Sequence, residues 1–278
     1  MSATISAADV KKLREMTGAG MMDCKQALGE SGGDFDKAIE YLRKKGQKLS
    51  VKRADREANE GVVLALVSDD KTKGVIVKLS CETDFVAKNE DFVKLTEKFA
   101  AIALAKFPTD VEALKAEAFE GGITIGDKVT EQVGVIGEKI ELAAYERLEA
   151  AQVCPYIHMG NKAAVLVGLN KADAAFYDAG RDVAMQVAAM RPVALDKDGV
   201  DQSVIQKEIE IGMEQARQEG KPEAMLEKIA QGKLGKFFKE NTLLAQQYVK
   251  DNSKTVADYL SSVEKGLTVT AFKHVTLG

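Results

Sequence analysis

Tryptophan is absent from this sequence of 278 residues, and histidine and cysteine are scarce, with two and three residues. Cys24, Cys81 and Cys154 are widely spaced, which does not describe the disulfide framework of a small secreted domain. Reduced thiols fit this spacing best, so we expect a cytoplasmic protein. Cys154 and His158 are close enough in sequence to share a metal, but no second pair of ligands with zinc spacing accompanies them. We therefore predict no metal site and no bound cofactor.

Long apolar segments and an excess of positive charge are also missing. The longest apolar runs, such as residues 163–169, fall far short of the roughly 18 residues that a membrane span needs. Residues 1–4 show no charged and then apolar leader, so we expect neither a signal peptide nor a membrane partner. The formal net charge is -4, so binding to nucleic acid would need a local basic patch.

Signatures of catalysis and of nucleotide binding are absent too. The Gly-Ala-Gly run at residues 18–20 is not followed by the lysine of a phosphate-binding loop. Neither a G-x-S-x-G elbow nor an H-E-x-x-H metal motif occurs, and no acid–base or nucleophile constellation can be assembled. We therefore expect a binding protein that is not an enzyme.

The N-terminal residues predict three short helices. Ser6 and Asp34 are suitable caps for the first and third helices, and glycines at residues 18, 20, 32 and 33 interrupt the pattern between helices. A bundle over residues 1–46 has a thin core, so we expect it to dock onto another structure. Residues 44–56 then carry six basic residues against one acid, with little apolar periodicity. We interpret residues 47–60 as a solvated basic tether; a strip that binds nucleic acid is the alternative, although no aromatic residues are interleaved.

The remainder of the chain predicts a repeated α+β core. Residues 61–79 show a strand–turn–strand pattern, and Asn89 caps a long amphipathic helix that follows a loop. Residues 165–169 echo residues 75–79 ninety positions later, in the same order of strand, loop and helix. We expect two related subdomains with antiparallel sheets covered by helices. The first spans residues 61–138, and the second spans residues 139–192 and 241–278.

Residues 193–240 interrupt the second subdomain and predict a projecting helical hairpin. Two amphipathic helices are joined by a Gly-Lys-Pro turn at residues 220–222. The apolar stripe of such a hairpin is either packed internally or paired with a partner.

Two loops are candidates for binding. Residues 17–22 place Met21 and Met22 beside flexible glycines, which makes an adaptable apolar surface, although residue type alone favours a methionine that fills the small core. Residues 83–89 lie between a strand and a helix, a position that often carries function. Phe85 in this polar loop either tucks back into the core or enters another protein, and periodicity alone favours the core.

Two long motifs carry a resemblance to a known family. LREMTGAGMMDCK at residues 13–25 and CETDFVAKN at residues 81–89 resemble the two signatures of the elongation factor Ts family. Tyr-Ile-His at residues 156–158, the Gly-Lys-Pro turn and Ser-Lys-Thr-Val at residues 253–256 follow in the family's order. The resemblance covers essentially the whole chain and is specific, because two long motifs occur in the right order.

The resemblance implies a guanine-nucleotide exchange factor for the GTPase elongation factor Tu. It also implies a ubiquitin-associated-like N-terminal bundle and a hairpin that serves in dimerisation. The residues expected to contact a helix of the partner's GTPase domain are Arg14, Met21, Met22 and Lys25. Those expected beside the partner's magnesium site are Thr83, Asp84, Phe85 and Val86. His158 is expected to add a contact from the second subdomain.

Two other functions stay open from the residues themselves. A nucleic-acid scaffold would use residues 44–56, and its affinity would fall with salt and with neutralisation of the basic residues. An adaptor for ubiquitin-like proteins would use the N-terminal bundle, so that residues 1–50 would bind alone. Neither function accounts for the loop at Thr83 or for the hairpin.

Overall fold

A computed structural model describes residues 5–278. These residues form eleven α-helices and ten strands and confirm the predicted α+β class. The helices are α1 (Ala7–Thr17), α2 (Met21–Glu30), α3 (Phe35–Arg53), α4 (Asp84–Ala87), α5 (Glu90–Lys106), α6 (Val111–Ala116), α7 (Ile125–Ile136), α8 (Tyr177–Met190), α9 (Gln202–Gln218), α10 (Glu223–Asn241) and α11 (Val256–Val263). The strands are β1 (Glu60–Val67), β2 (Lys73–Cys81), β3 (Ala118–Phe119), β4 (Ile123–Thr124), β5 (Glu141–Glu149), β6 (Gln152–Ile157), β7 (Ala163–Leu169), β8 (Gln247–Tyr248), β9 (Asp251–Thr255) and β10 (Val269–Thr276). None of the helices in this part of the chain is long and apolar enough to cross a membrane.

The N-terminal bundle consists of α1, α2 and α3. Ser6 caps α1 in a reciprocal capping box with Asp9, and Gly18 ends the helix in the left-handed conformation. The Asp34 side chain accepts a hydrogen bond from the Lys37 N–H at the start of α3. The small core of the bundle contains Val10, Leu13, Cys24, Ala27, Leu28 and Ala38.

The third helix continues through residues for which the sequence predicts a solvated tether. The predicted boundary between residues 46 and 47 falls inside α3, which ends only at Arg53. Gly46 is buried against α7, where a Cβ would lie 2.9 Å from the Thr130 carbonyl oxygen. Leu49 packs against the core of the first subdomain. The tether interpretation is therefore wrong for residues 47–53, because a glycine contact between helices replaces the apolar stripe that periodicity detects.

The first subdomain has an antiparallel sheet with the strand order β1-β2-β5. One face of β2 carries Val75, Val77 and Leu79, which pack with Phe92 and Phe99 of α5. Asn89 accepts a hydrogen bond from the Asp91 N–H and begins α5, as the sequence predicts. The helix α7 was not predicted from the sequence; it starts with a capping box at Thr124 and covers the same core.

The second subdomain repeats this topology. Its antiparallel sheet has the order β10-β7-β6, so a hairpin, a helix and a returning strand follow one another as in the first subdomain. Val165, Val167 and Leu169 of β7 pack with Val183 and other residues of α8. These three positions match Val75, Val77 and Leu79 at an offset of ninety residues, which confirms the predicted repeat.

The two sheets pack face to face, and their central strands, β2 and β7, run in opposite directions. Ile76 of β2 and Leu166 of β7 share the layer between the sheets. A Cβ at Gly74 would lie 2.8 Å from Val153 and 3.0 Å from Leu166, and a Cβ at Gly168 would lie 2.8 Å from Ala150. The start of β2 therefore lies beside the end of β7. It follows that the connections leaving the ends of β2 and β7 lie at opposite ends of the core.

The predicted hairpin consists of α9 and α10. Its internal contact is built on small residues, since a Cβ at Gly212 would lie 3.1 Å from the Ala230 Cα. Ala216, Leu226 and Leu234 are also buried along this contact. At its base, the N–H of Val193 donates to the Asn241 carbonyl, which joins the two ends of the hairpin to each other.

Candidate protein-binding site

The loop after β2 presents one large apolar side chain to solvent. Residues Asp84 to Ala87 form the single turn α4, and 84% of the Phe85 surface is exposed. Val86 and Ala87 pack against the first core and hold the turn in place. The structure therefore excludes the interpretation that Phe85 fills the core.

Asp84 lies beside Phe85 and forms an ion pair with Lys88. Its carboxylate accepts a hydrogen bond from Lys88 at 2.6 Å. This hydrogen bond and the positive charge of Lys88 lower the pKa of Asp84. The same hydrogen bond and the negative charge of Asp84 raise the pKa of Lys88. The loop thus offers a carboxylate next to an unpacked aromatic ring.

Glu82, at the base of this loop, is tied to the N-terminal helices. Its carboxylate contacts Arg53 at 2.7 Å and Arg56 at 3.0 Å. Burial raises the pKa of Glu82, but the Lys139 N–H and the two guanidinium groups outweigh it and lower the pKa to about 2. The loop base is therefore a charged connection between the bundle and the first subdomain.

The expected contact residues of the bundle lie on its surface. Met22 is 74% exposed and Met21 is 46% exposed at the start of α2, which excludes the interpretation that either fills the core. Arg14 and Lys25 are exposed as well. On α1, Met16 is exposed to solvent, whereas Val10 and Leu13 are buried.

A groove brings part of the bundle next to the Phe85 loop. It has a volume of about 900 Å³, and its walls include Thr17 and Gly18 at the end of α1, Thr83 and Phe85 of the loop, and Val135 of α7. Met21, Met22 and Lys25 lie outside its lining, on α2. The structure thus joins the end of α1 to the loop in one concave surface.

His158 lies at the tip of the β6–β7 hairpin. Its Nδ1 is 3.1 Å from the Tyr156 hydroxyl, and its ring is exposed. The neighbouring Met159 is 86% exposed, and sequence reasoning missed it as a candidate contact. Gly160, the next residue, has a left-handed conformation that turns the chain at this tip.

This tip and the Phe85 loop lie at the same end of the core. The turn at Met159–Asn161 contacts β1, and α4 contacts β1 too. Glu60, the first residue of β1, pairs with Cys81 just before the loop and lines a small cavity with Lys162 just after the tip. The expected contacts of the loop and of His158 therefore lie near one another.

Cys154 and His158 are placed differently from each other. Cys154 is buried in the second core, and burial raises the pKa of its thiol to about 12. His158 is exposed at the tip. Within residues 5–278 no group of three or more histidine, cysteine or acidic side chains is arranged to hold a metal ion.

The described residues thus combine a repeated α+β core, a docked N-terminal bundle and exposed apolar side chains on the bundle and on the loop after β2. A family model described as Elongation factor TS matches residues 82–278. Elongation factor Ts of Christiangramia forsetii is 59% identical over 276 residues, which cover 99% of this chain and 100% of the relative. Elongation factor Ts of Porphyromonas gingivalis is 50% identical over 277 residues, with coverage of 100% and 99%. Elongation factor Ts of Chloroherpeton thalassium is 44% identical over 274 residues, with coverage of 96% and 95%. The chain belongs to the elongation factor Ts family.

Proposed function

We propose that this protein is a guanine-nucleotide exchange factor in translation elongation. It binds the GDP-bound form of the GTPase elongation factor Tu in the cytoplasm, promotes release of GDP and allows GTP to reload. The observation that carries the proposal is the exposure of Phe85 on a one-turn helix held by a packed core. An exposed aromatic ring on a supported loop has no role in the fold of this chain, but it suits insertion into a partner.

The proposed mechanism uses burial of Phe85 to distort the partner. Full burial of a phenylalanine side chain contributes about 1.5–3 kcal/mol, which can offset part of the cost of such a distortion. Magnesium on nucleotide phosphates needs near-ideal octahedral geometry, so a small displacement of its surroundings weakens its binding. Thr83 and Val86 flank the inserted ring, and the Asp84 carboxylate disturbs the network of waters around the metal. GDP then loses a bridging cation and dissociates.

The other exposed residues complete the proposed interface. Arg14, Met21, Met22 and Lys25 contact a helix of the GTPase domain, and His158 adds a contact from the second subdomain, with Met159 beside it. Because binding free energies are linked, a factor that weakens GDP binding must itself be weakened equally by GDP. No covalent step is needed from this chain, so the proposed activity is not enzymatic.

The proposal also assigns the hairpin to pairing with a second copy of the chain. Ile211 and Met225 are exposed on it, and Val204, Ile209 and Met213 are only half-buried, so apolar surface is left over after the internal contact. Sedimentation over a range of concentrations tests this assignment. A dimer that weakens in Met225→Glu supports it, and a monomer at all concentrations contradicts it.

The structure gives less support to a nucleic-acid scaffold. Most of the basic residues around the end of α3 form ion pairs within the chain, among them Lys44 with Glu40, Lys45 with Asp23, and Arg53 and Arg56 with Glu82. These pairs reduce the positive field that a phosphate backbone would meet.

Stopped-flow release of fluorescent GDP from elongation factor Tu tests the proposed function. We expect strong acceleration at saturating factor in the presence of magnesium. If the factor acts on the magnesium site, the acceleration should shrink when EDTA has already removed the metal. Unchanged release at saturating factor, with magnesium present, would rule out the exchange function.

A further inference from the structure

The exposed turn that carries Phe85 cannot hold its own conformation. The helix α4 has only four residues, far fewer than an isolated helix needs for stability. Thr83 occupies its N-cap position, but its side chain makes no capping hydrogen bond. The conformation of the turn therefore depends on contacts from outside it.

Glu138, on the segment between α7 and β5, supplies such contacts. One of its carboxylate oxygens accepts hydrogen bonds from the N–H groups of Glu82 and Thr83, both at 3.1 Å. The other oxygen accepts a hydrogen bond from the Thr83 hydroxyl at 2.6 Å. The hydroxyl that would cap α4 is thus engaged by Glu138 instead.

The connection is reciprocal. The Glu82 carboxylate accepts a hydrogen bond from the Lys139 N–H at 2.6 Å. Backbone N–H groups of the Glu82 segment and of the Glu138 segment therefore each donate to a carboxylate of the other segment. Glu82 also pairs with Arg53 at the end of α3. Hydrogen bonds to a charged acceptor are among the stronger ones, and this arrangement fixes the base of the loop relative to the bundle.

We propose that Glu138 is a positioning residue that sets the orientation of the Phe85 turn before the partner binds. The proposal rests on the proposed function for its consequence but not for its geometry. Glu138 acts through Thr83 and the loop backbone. Its length matters more than its charge, because the three donors must be reached at once.

Three variants separate length from charge. Glu138→Gln keeps the length: its carbonyl oxygen accepts from both N–H groups, and its amide donates to the Thr83 hydroxyl oxygen. Glu138→Asp keeps the charge but is one methylene shorter, and Glu138→Ala removes the contacts. Glu141→Gln is the matched control, because Glu141 is a nearby exposed acid whose carboxylate lies 3.7 Å from the Lys139 ammonium group.

Amide hydrogen exchange of the free protein tests the geometry without any partner. We expect the amides of Glu82 and Thr83 to exchange at least ~10-fold faster in Glu138→Ala and Glu138→Asp, with near-normal exchange in Glu138→Gln and Glu141→Gln. The amide of Val77, inside β2, should be unchanged in every variant and reports global stability. Unchanged exchange at Glu82 and Thr83 in Glu138→Ala would overturn the proposal.

Release of GDP from the partner tests the consequence. We expect the saturating release rate to fall about 10-fold in Glu138→Ala and Glu138→Asp, because misplacement of a contacting group by a fraction of an ångström is costly, and to recover in Glu138→Gln. Full activity of Glu138→Ala despite faster amide exchange would overturn the positioning role. An inactive wild-type chain would instead contradict the proposed function, and the exchange of the Glu82 and Thr83 amides would still decide the geometry.

Discussion

The two subdomains share one topology but use the equivalent connection differently. In the first subdomain, the segment from the central strand to the covering helix exposes Phe85. In the second, the corresponding segment carries Phe176, which packs against the core of its own subdomain. The same scaffold therefore packs one phenylalanine against its core and exposes the other to solvent.

The anchoring of the two connections explains this difference. Along the second one, the Asn170 amide donates to the Gly266 carbonyl at 2.8 Å, the Lys171 ammonium to the Lys265 carbonyl at 2.6 Å, and the Asp173 N–H to the Gln152 side chain at 3.3 Å. The first is held at its base by Glu138, and Val86 packs behind it. The repeated sheet and helices thus form the rigid scaffold, and the loop that does not pack into the core is the one available to contact a partner.

Replacing the exposed phenylalanine should give the largest effect on GDP release of all the variants. We expect Phe85→Ala to lower the saturating rate of GDP release from elongation factor Tu about 100-fold, since truncating a central contact residue costs on the order of 2–4 kcal/mol. The melting temperature should barely change, because the side chain packs against little of this chain. Stopped-flow fluorescence and circular dichroism measure the two quantities. A large fall in melting temperature would show that Phe85 is structural.

Replacing the packed phenylalanine should give the opposite result. We expect Phe176→Ala to lower the free energy of unfolding by about 2–3 kcal/mol, because a half-buried aromatic side chain leaves a cavity. The saturating rate of GDP release should stay near that of the wild type. Urea unfolding and stopped-flow fluorescence check this pair of expectations, and a lost rate with intact stability would contradict the assignment of Phe176 to the core.

The acid at the base of the first connection should make stability depend on pH. The pKa of Glu82 falls to about 2 from its ordinary value of 4.5, so its ionised form stabilises the fold above pH 4.5. We expect Glu82→Gln to reduce the free energy of unfolding by about 1–2 kcal/mol at neutral pH. This difference should shrink as the pH falls from 4.5 to about 2.

The second connection offers a matched control for this pH dependence. Glu264 pairs at 3.4 Å with Lys171, and both side chains are well exposed. Glu264→Gln should change the free energy of unfolding by less than about 0.5 kcal/mol at any pH. Urea unfolding over a pH series compares the two variants. Equal pH dependence in both would contradict a special role for the acid at the loop base.

The smallest effect is expected at Asp84. We expect Asp84→Ala to lower the saturating rate of GDP release about fivefold, close to 1 kcal/mol, without changing stability. Lys88→Ala breaks the same exposed ion pair and serves as the control. If both variants lose the rate equally, the pair matters as a unit, and the proposed action of the carboxylate on the partner's magnesium is wrong.

The sequence predicts the two related subdomains because the residues that repeat are the apolar ones that become buried. Val75, Val77 and Leu79 recur ninety positions later as Val165, Val167 and Leu169, and Asn89 is a recognisable cap. The continuation of α3 was missed because Gly46 meets Gly134 of α7, and a contact between glycines leaves no hydrophobic periodicity. Periodicity could not predict the solvent exposure of Phe85 either, because the sequence of a loop with one aromatic residue does not show whether that residue is buried or exposed.

Side chains from distant parts of the chain set the rest of the candidate site. Glu138 lies more than fifty positions after Thr83, and only the fold brings its carboxylate to the loop. Met159 belongs with His158 at the tip, but its exposure depends on how the β6–β7 hairpin turns. Local pattern does not encode such long-range placement.

The most direct test of the comparison is amide hydrogen exchange of this protein with and without GDP-bound elongation factor Tu. The experiment measures exchange in both connections, residues 83–89 and residues 170–176, at once, so each segment is a control for the other. We expect slower exchange over residues 83–89 in the complex and no change over residues 170–176. Two results would contradict the claim that the loop carrying Phe85 contacts the partner. One is protection of residues 170–176 instead of residues 83–89, and the other is a complex that forms without any protection of residues 83–89.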